Sequence, residues 1–166
     1  MTTWIVLAVI VAIGVYVISL YNRLVRQRQM VREGWSGIEV QLKRRFNLIP
    51  NLVEAVKGYM THERETLTEA TEMWAQAGHV PSGDVAARAQ AEGMLGAALG
   101  RLLAVAENYP DLKASDNFLD LQNALDKVEH ELQMSRRYYN GAVRDLNVMV
   151  ESFPSNIVAG QFGFTK

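Results

Sequence analysis

The feature that most constrains this chain is an uncharged segment near its N-terminal end. Residues 4–21 hold only apolar and aromatic side chains, one glycine and one serine. As a helix, this segment with the three residues before it reaches about 30 Å, which matches the hydrocarbon core of a bilayer. Trp4 and Tyr21 stand at its two ends, where aromatic rings favour the membrane interface. We therefore predict a transmembrane anchor over residues 1–21.

A cleaved signal peptide is the main alternative for the same segment. Such a peptide has a basic start, an apolar run of about 7–15 residues and a small-residue cleavage site. Residues 1–3 carry no Lys or Arg, the apolar run is longer, and residues 19–23 offer no A-x-A-like site. The sequence favours an uncleaved, single-pass anchor.

Basic residues follow the anchor on one side only. Residues 22–45 carry seven Lys/Arg against two Glu, whereas only the α-amino group precedes the anchor. The positive-inside rule then places the N-terminus outside and the body in the cytoplasm. Attraction to anionic lipid headgroups and a merely solvated helix face that fixes topology are both open interpretations. The segment is short and tethered to a bilayer, so no nucleic-acid partner is expected. The membrane-proximal basic residues are Arg23, Arg26, Arg28 and Arg32.

The segment after the anchor repeats apolar residues in alternating steps of four and three, a pattern typical of bundle helices. No Gly-Pro pair separates it from the anchor, so we predict one continuous helix. Pro50 is expected to kink this helix rather than reverse it, with helix continuing to about Ala77 and Gly78 as its stop. Gly34 and Gly37 are expected to weaken it locally. The stripe comprises Val31, Trp35, Ile38, Leu42, Ile49, Leu52, Val56 and Tyr59.

A second predicted helix, residues 85–108, follows a loop in which Ser82 or Asp84 can act as N-cap. It is rich in Ala and Gly and contains the spacing G-x-x-x-G at Gly96 and Gly100. In a membrane this spacing favours helix dimerisation. Charged residues flank it here, so we predict close approach of two helices in water.

The third predicted helix has the strongest periodicity in the chain. Ser115 is a plausible N-cap after a turn at residues 108–111, and Pro154 ends the pattern. Short loops imply antiparallel neighbours, with the first and third stripes facing each other and the second helix packed between. The stripe comprises Phe118, Leu121, Leu125, Val128, Leu132, Tyr139, Ala142, Leu146, Met149 and Phe153.

The tail, residues 154–166, has large apolar residues and glycines without a helical period. A disordered tail would be polar. We expect this one to pack on the bundle, on a neighbouring subunit or on the membrane surface. Phe153, Phe162 and Phe164 are the expected contact residues. The predicted organisation is thus an anchor (1–21), an antiparallel helical bundle (22–153) and an apolar tail (154–166).

Residues that could carry chemistry do not form a recognisable site. The chain has no cysteine, and its histidines, His62, His79 and His130, lack the spacing of metal-binding motifs. No P-loop or nucleophile motif occurs. Arg44 and Arg45 beside the apolar stripe are expected to pair with a carboxylate of a facing helix, such as Glu129 or Glu131, or else to bind phosphate. We predict a protein that is not an enzyme and has no cofactor or metal.

Three separated motifs resemble the LemA family. They are residues 44–54 (RRFNLIPNLVE) followed by 56–59 (VKGY), residues 112–122 with 136–140 (RRYYN), and residues 153–159 (FPSNIVA). With the anchor, the resemblance covers nearly the whole chain. It implies a bacterial single-pass membrane protein with an antiparallel helical bundle and no established catalytic residues. One relative is associated with forming the magnetosome membrane, which implies membrane organisation by analogy.

Read physically, the motifs assign packing roles. Arg45, Pro50, Tyr59 and Tyr139 form the kink and packing motif: Pro50 fixes a bend, residues 138–140 pack against that bend, and the Phe tail docks.

The expected fold is therefore all-α, with a transmembrane helix that continues into an elongated antiparallel bundle. Our leading hypothesis is a structural or scaffolding protein that self-associates and organises or remodels the membrane, with the bilayer and further copies of itself as partners. The alternative is an adaptor or regulator of another membrane protein, such as a protease or a signalling complex.

Overall fold

The computed structural model describes residues 1–60, 63–81 and 83–165. These residues form helices and connecting turns, with no strand among them. The predicted all-α class, with a long N-terminal apolar helix followed by a helical bundle, is confirmed. The helices are α1 (Thr2–Lys57), α2 (Arg64–His79), α3 (Val85–Ala106), α4 (Pro110–Lys113), α5 (Asp116–Glu151) and α6 (Ser155–Gln161).

The first helix passes through Pro50 but ends at Lys57. The prediction that it reaches about Ala77 is wrong, because a turn at Gly58 and Tyr59 separates α1 from α2. The amides of Tyr59 and Met60 both donate to the carbonyl of Val56, which closes the last turn. Glycine has low helix propensity, and Met60 is buried where the periodic pattern pointed to Tyr59. Part of this connection, including His62, lies outside the described residues.

The later helices follow the predicted order with different ends. Asp84 caps α3 as predicted, since its Oδ1 accepts from the amide of Ala87 at 2.9 Å. The other N-cap candidate, Ser82, lies outside the described residues. The predicted turn at 108–111 leads into the short helix α4, whose Leu112 is fully buried. That burial explains why α4 forms where turn residues predicted only a loop.

The chain divides into two compact units. Unit 1 comprises Met1–Ile38 and Gln133–Lys166, and unit 2 comprises Glu39–Leu132. In unit 1, α1 and α5 face each other directly. A Cβ built on Gly34 would lie 3.0 Å from the Cα of Tyr139, and one built on Gly37 would lie 3.7 Å from the Oγ of Ser135. A step forward along α1 is thus a step back along α5, so the pair is antiparallel, as predicted.

Unit 2 has its own apolar core. Ile49 and Leu52 of α1 share it with Leu99 of α3 and Phe118 of α5, which confirms that the periodic stripes meet. Helices α2 and α3 are antiparallel. Their ends are tied by the Arg101–Glu69 ion pair and by the Arg88 guanidinium, which donates to the carbonyl of Ala77 at 2.8 Å.

Candidate functional site

The C-terminal tail docks on α1 directly after the uncharged segment. The tail was expected to lack helical period, but residues 155–161 form α6. Ser155, Val158 and Ala159 are buried, and their spacing defines one helical face. The last two pack with Leu20 and Leu24 of α1 in one apolar cluster. Short period-3.6 faces of this kind are hard to recognise in a sequence because they span fewer than two turns.

Aromatic contacts complete this anchor–tail junction, which we define as Tyr21 and Arg28 of α1 with Phe162 and Phe164 of the tail. The ring of Tyr21 lies 4.9 Å from that of Phe162 and 5.8 Å from that of Phe164, centroid to centroid. The Arg28 guanidinium lies 4.9 Å above the Phe164 ring, an arrangement that contributes about 0.5–2 kcal/mol. Phe164 is 6% exposed. The sequence left open whether the tail packs on its own bundle, a neighbouring subunit or the membrane. In this structure Phe162 and Phe164 pack on their own chain.

Gly163 allows the tail to reach Tyr21. Its φ of +70° is a left-handed conformation that favours glycine. The amide of Phe164 then donates to the carbonyl of Ala159 at 2.9 Å, which closes the end of α6. The turn places Phe164 against the anchor.

The other predicted contact residue, Phe153, is mostly exposed to solvent. It lies between α5 and α6 and is 80% exposed. Ile157, on the side of α6 away from Ala159, is 62% exposed. Phe162 is 54% exposed although its ring contacts Tyr21. Large apolar side chains therefore remain uncovered beside the base of the anchor.

The four membrane-proximal arginines are all exposed on α1. Arg28 has the additional contact with Phe164 described above, which no local pattern in the sequence indicates. The remaining members, Arg23, Arg26 and Arg32, are available to solvent or to lipid headgroups.

Tyr139, assigned to the kink and packing motif, has its described contacts within unit 1. Its ring lies 5.6 Å from that of Trp35, and its Cα closes on Gly34, both in unit 1. Pro50 is exposed and belongs to unit 2. The packing of residues 138–140 against a bend at Pro50 stays a prediction. Tyr59, assigned to the same motif, is 41% exposed in the turn after α1.

Arg45 is the centre of a buried ion network in unit 2. The Arg45 residue is 8% exposed, and its Nη1 lies 3.7 Å from Glu92 Oε2 and 3.6 Å from Glu129 Oε2. The predicted pairing with Glu129 is confirmed. Arg88, on the same helix as Glu92, adds a third ion pair, with its Nη1 4.0 Å from Glu92 Oε1. Because carboxylates of α3 and α5 already flank the Arg45 guanidinium of α1, the network links three helices rather than presenting a phosphate site.

The glycine pair of α3 serves a different purpose from the predicted helix contact. A Cβ on Gly96 would lie 3.0 Å from Arg45 Nη2, so this glycine makes room for the guanidinium. A Cβ on Gly100 would meet nothing within 4 Å. Sequence reasoning found the spacing but not this role, because the partner is a side chain from a distant segment.

No metal centre emerges from the described residues, in which no group of three or more His, Cys, Asp or Glu converges. His79 and His130 are exposed. Chemically, the described geometry is suited to holding helices and surfaces in place.

One helix in the described residues, α1, is long and apolar enough to cross a membrane, judged by length and composition. Its most apolar stretch is only 6% buried inside the structure, whereas a core helix of a soluble protein is mostly buried. This exposure indicates a membrane protein.

Known proteins resemble the chain over most of its length. The magnetosome proteins MamQ 1 and MamQ 2 of Paramagnetospirillum magneticum are each 28% identical over 171 residues, covering 88% of this chain. The chain spans 62% of the length of these relatives. Protein LemA of Metamycoplasma hominis is 26% identical, covering 93% of this chain and 71% of that protein.

The family model described as LemA family matches residues 34–166. That range includes all three motifs on which the resemblance rested, together with Gly34, Arg45 and the docked tail. The chain belongs to the LemA family.

Proposed function

We propose that this chain is a membrane-anchored structural protein that self-associates and organises or remodels a bacterial membrane. The main support for the proposal is the continuity of α1 from Thr2 to Lys57. One uninterrupted helix joins an apolar segment that the fold leaves uncovered to residues that build both helical units. Within the described residues, buried polar groups form an ion network that stabilises the fold, which favours a structural over a catalytic role.

The proposed orientation places the N-terminus outside and the residues after the anchor on the cytoplasmic side of the inner membrane. Its support is the one-sided cluster of exposed arginines after Tyr21. Reporter fusions at each end test the orientation. A reporter active only in the periplasm is expected to work at the N-terminus, and the reverse pattern contradicts the proposal.

Self-association is proposed through the outer face of α3. Small residues line this face in helical steps and are exposed, and the glycines among them have open space where a side chain would stand. Such a face permits close approach of a second helix. Gly96 makes room for Arg45, and the tail packs on its own chain. Support for self-association therefore comes from the exposed face of α3 and not from Gly96 or the tail. The residues of this face are Ala86, Gly93, Ala97, Gly100 and Ala104.

Blocking this face tests self-association. The full chain is purified in detergent and its mass distribution measured over a range of concentrations. A Cβ built on Gly93 or Gly100 would meet nothing within 4 Å in the chain itself, so Gly93→Leu and Gly100→Leu add bulk at open positions. We expect them to shift oligomers toward monomer while the helical content stays unchanged. Asn123→Leu, at an exposed position of α5 in the same unit, is the matched control and should leave assembly intact. A wild-type chain that stays monomeric at high concentration refutes the proposal.

Crosslinking in cells separates scaffolding from the adaptor alternative. The relatives named as magnetosome proteins support a role in membrane organisation for this chain. Under that proposal, the main crosslinked product contains two or more copies of this chain. A dominant product with one other membrane protein, without self-crosslinks, favours an adaptor or regulator instead.

A further inference from the structure

The end of α5 and the tail leave large apolar side chains uncovered at one place in unit 1. Phe153, Ile157 and Phe162 are more than half exposed. The buried face of the same tail packs on Leu20 and Leu24, at the end of the anchor. These exposed side chains therefore belong to a segment that packs beside the end of the anchor.

The antiparallel register of α1 and α5 shows which part of α1 lies beside Phe153. Gly34 of α1 lies against Tyr139 of α5. Phe153 is as far beyond Tyr139 as Leu20 is before Gly34. Both helices rise about 1.5 Å per residue, so Phe153 is brought to the last turn of the uncharged segment. The apolar cluster that joins Leu146 to Leu20 and Leu24 agrees with this register.

Charged residues stop at the same level on both helices of the α1–α5 pair. On α1, the uncharged stretch ends at Asn22, and Arg23 is the first charged residue after it. On α5, Glu151 is the last charged residue, and residues 152–165 contain none. Glu151 is as far beyond Tyr139 as Asn22 is before Gly34. A charge inside a bilayer is costly, so matched charge-free ends are what a common membrane boundary requires.

From this coincidence we infer that the tail is a second membrane contact: Phe153, Ile157 and Phe162 insert into the interfacial layer of the bilayer that the anchor crosses. Exposed apolar and aromatic side chains bind at this depth, while Val158 and Ala159 of the same tail stay packed on α1. The same bilayer is the occupant that the structure favours, because the uncovered side chains adjoin the anchor. The inference rests on the anchoring part of the proposed function and not on self-association.

Lipid photolabelling of the unmodified chain tests the inference. The protein is reconstituted into vesicles with a phospholipid that carries a carbene precursor in its acyl chain, irradiated and digested with trypsin. Cleavage after Arg144 yields a peptide of residues 145–166, and cleavage after Lys127 and Arg136 yields residues 128–136 as the control. We expect lipid adducts on the anchor and on residues 152–164, several-fold above those on the control peptide.

The outcomes are distinct. Adducts on the anchor alone overturn the inference and leave the anchoring proposal intact. Absence of adducts from both overturns the anchoring proposal and the inference together. If the tail carries no lipid adducts, and a separate protein crosslinker joins it to the tail of a second copy, its apolar side chains belong to a protein interface. This result also overturns the inference.

Single-cysteine spin labels give a second measurement at defined positions. The chain has no cysteine of its own, so each label is unique. Phe153→Cys and Ile157→Cys are compared with Met134→Cys, which lies on α5 in the same unit and is 51% exposed. We expect labels at the first two positions to collide more with oxygen than with a water-soluble nickel chelate, and the reverse at Met134. Equal accessibility at all three positions overturns the inference.

Discussion

Gly34 and Gly37 are separated by less than one helical turn, yet they should respond oppositely to the same substitution. A Cβ at Gly34 would lie 3.0 Å from the Cα of Tyr139 and 3.1 Å from the Cδ1 of Tyr138. A Cβ at Gly37 would lie 3.7 Å from Ser135 Oγ, an ordinary van der Waals distance. The Gly34 contact involves a backbone atom, so α5 itself must shift to admit a methyl group.

The expected magnitudes follow from two opposing terms. Replacing a helical glycine by alanine stabilises the helix by about 1 kcal/mol at either position. Forcing a methyl group into close-packed helices costs about 1–3 kcal/mol, and this cost applies only at Gly34. Gly37→Ala should therefore stabilise unit 1 by about 1 kcal/mol. Gly34→Ala should range from neutral to a destabilisation of about 2 kcal/mol, which separates the two variants by about 1–3 kcal/mol.

Urea unfolding in mild detergent measures this difference. Trp35, one of three tryptophans, packs against Tyr139, so part of the fluorescence change reports on the same helix contact. A difference of 1 kcal/mol corresponds to roughly 2–4 °C in a parallel thermal experiment for a chain of this size. If Gly34→Ala raises the midpoint as much as Gly37→Ala does, the close helix approach is refuted.

Three further substitutions test unit 2. Arg45→Met should destabilise the fold by about 1–3 kcal/mol, because the buried Glu92 carboxylate loses one of its two cationic neighbours and keeps Arg88; a loss under about 0.5 kcal/mol in urea unfolding contradicts the network. Trp74→Phe removes the hydrogen bond from the indole N–H to the carbonyl of Phe46, 3.0 Å long, while keeping the ring stack, and should cost about 1 kcal/mol in the same assay. Arg101→Gln should cost less than about 1 kcal/mol and lose most of that effect in high salt, because its ion pair with Glu69 is exposed; a large, salt-independent loss contradicts this expectation.

The sequence predicted the elements whose signal is long and repeated. The anchor, the α1 stripe at Ile49, Leu52 and Val56, and the periodicity of α5 all depend on many residues that agree with one another. Each is set by the preference of apolar side chains for one face or for lipid, which is visible without the fold.

The failures share a different cause. The end of α1 at Lys57 depends on Met60 being buried in place of Tyr59, which only the packed core decides. The pairing of Gly34 with Tyr139 and the role of Gly96 beside Arg45 are contacts between distant segments. Glycine spacing alone does not reveal whether the space is used by a neighbouring helix, by a guanidinium or by neither.

In the candidate site, residue types were easier to predict than their partners. The rings of Phe162 and Phe164, two of the expected contact residues, lie beside the ring of Tyr21. Nothing local to Arg28 distinguishes it from Arg23, Arg26 or Arg32, since its contact with Phe164 depends on how the tail folds back.

The discontinuity of unit 1 has a consequence for biosynthesis. The ribosome makes all of Glu39–Leu132 between the two segments that form unit 1. At about 5–20 residues per second, that interval lasts roughly 5–20 s. During it, the anchor has left the ribosome while the groove of Leu20 and Leu24 still lacks α5 and α6. On polysomes, where nascent chains are close together, that groove is open to the C-terminal segment of a neighbouring copy, so exchange of α5 and α6 between copies should be most frequent when synthesis is slowed within unit 2.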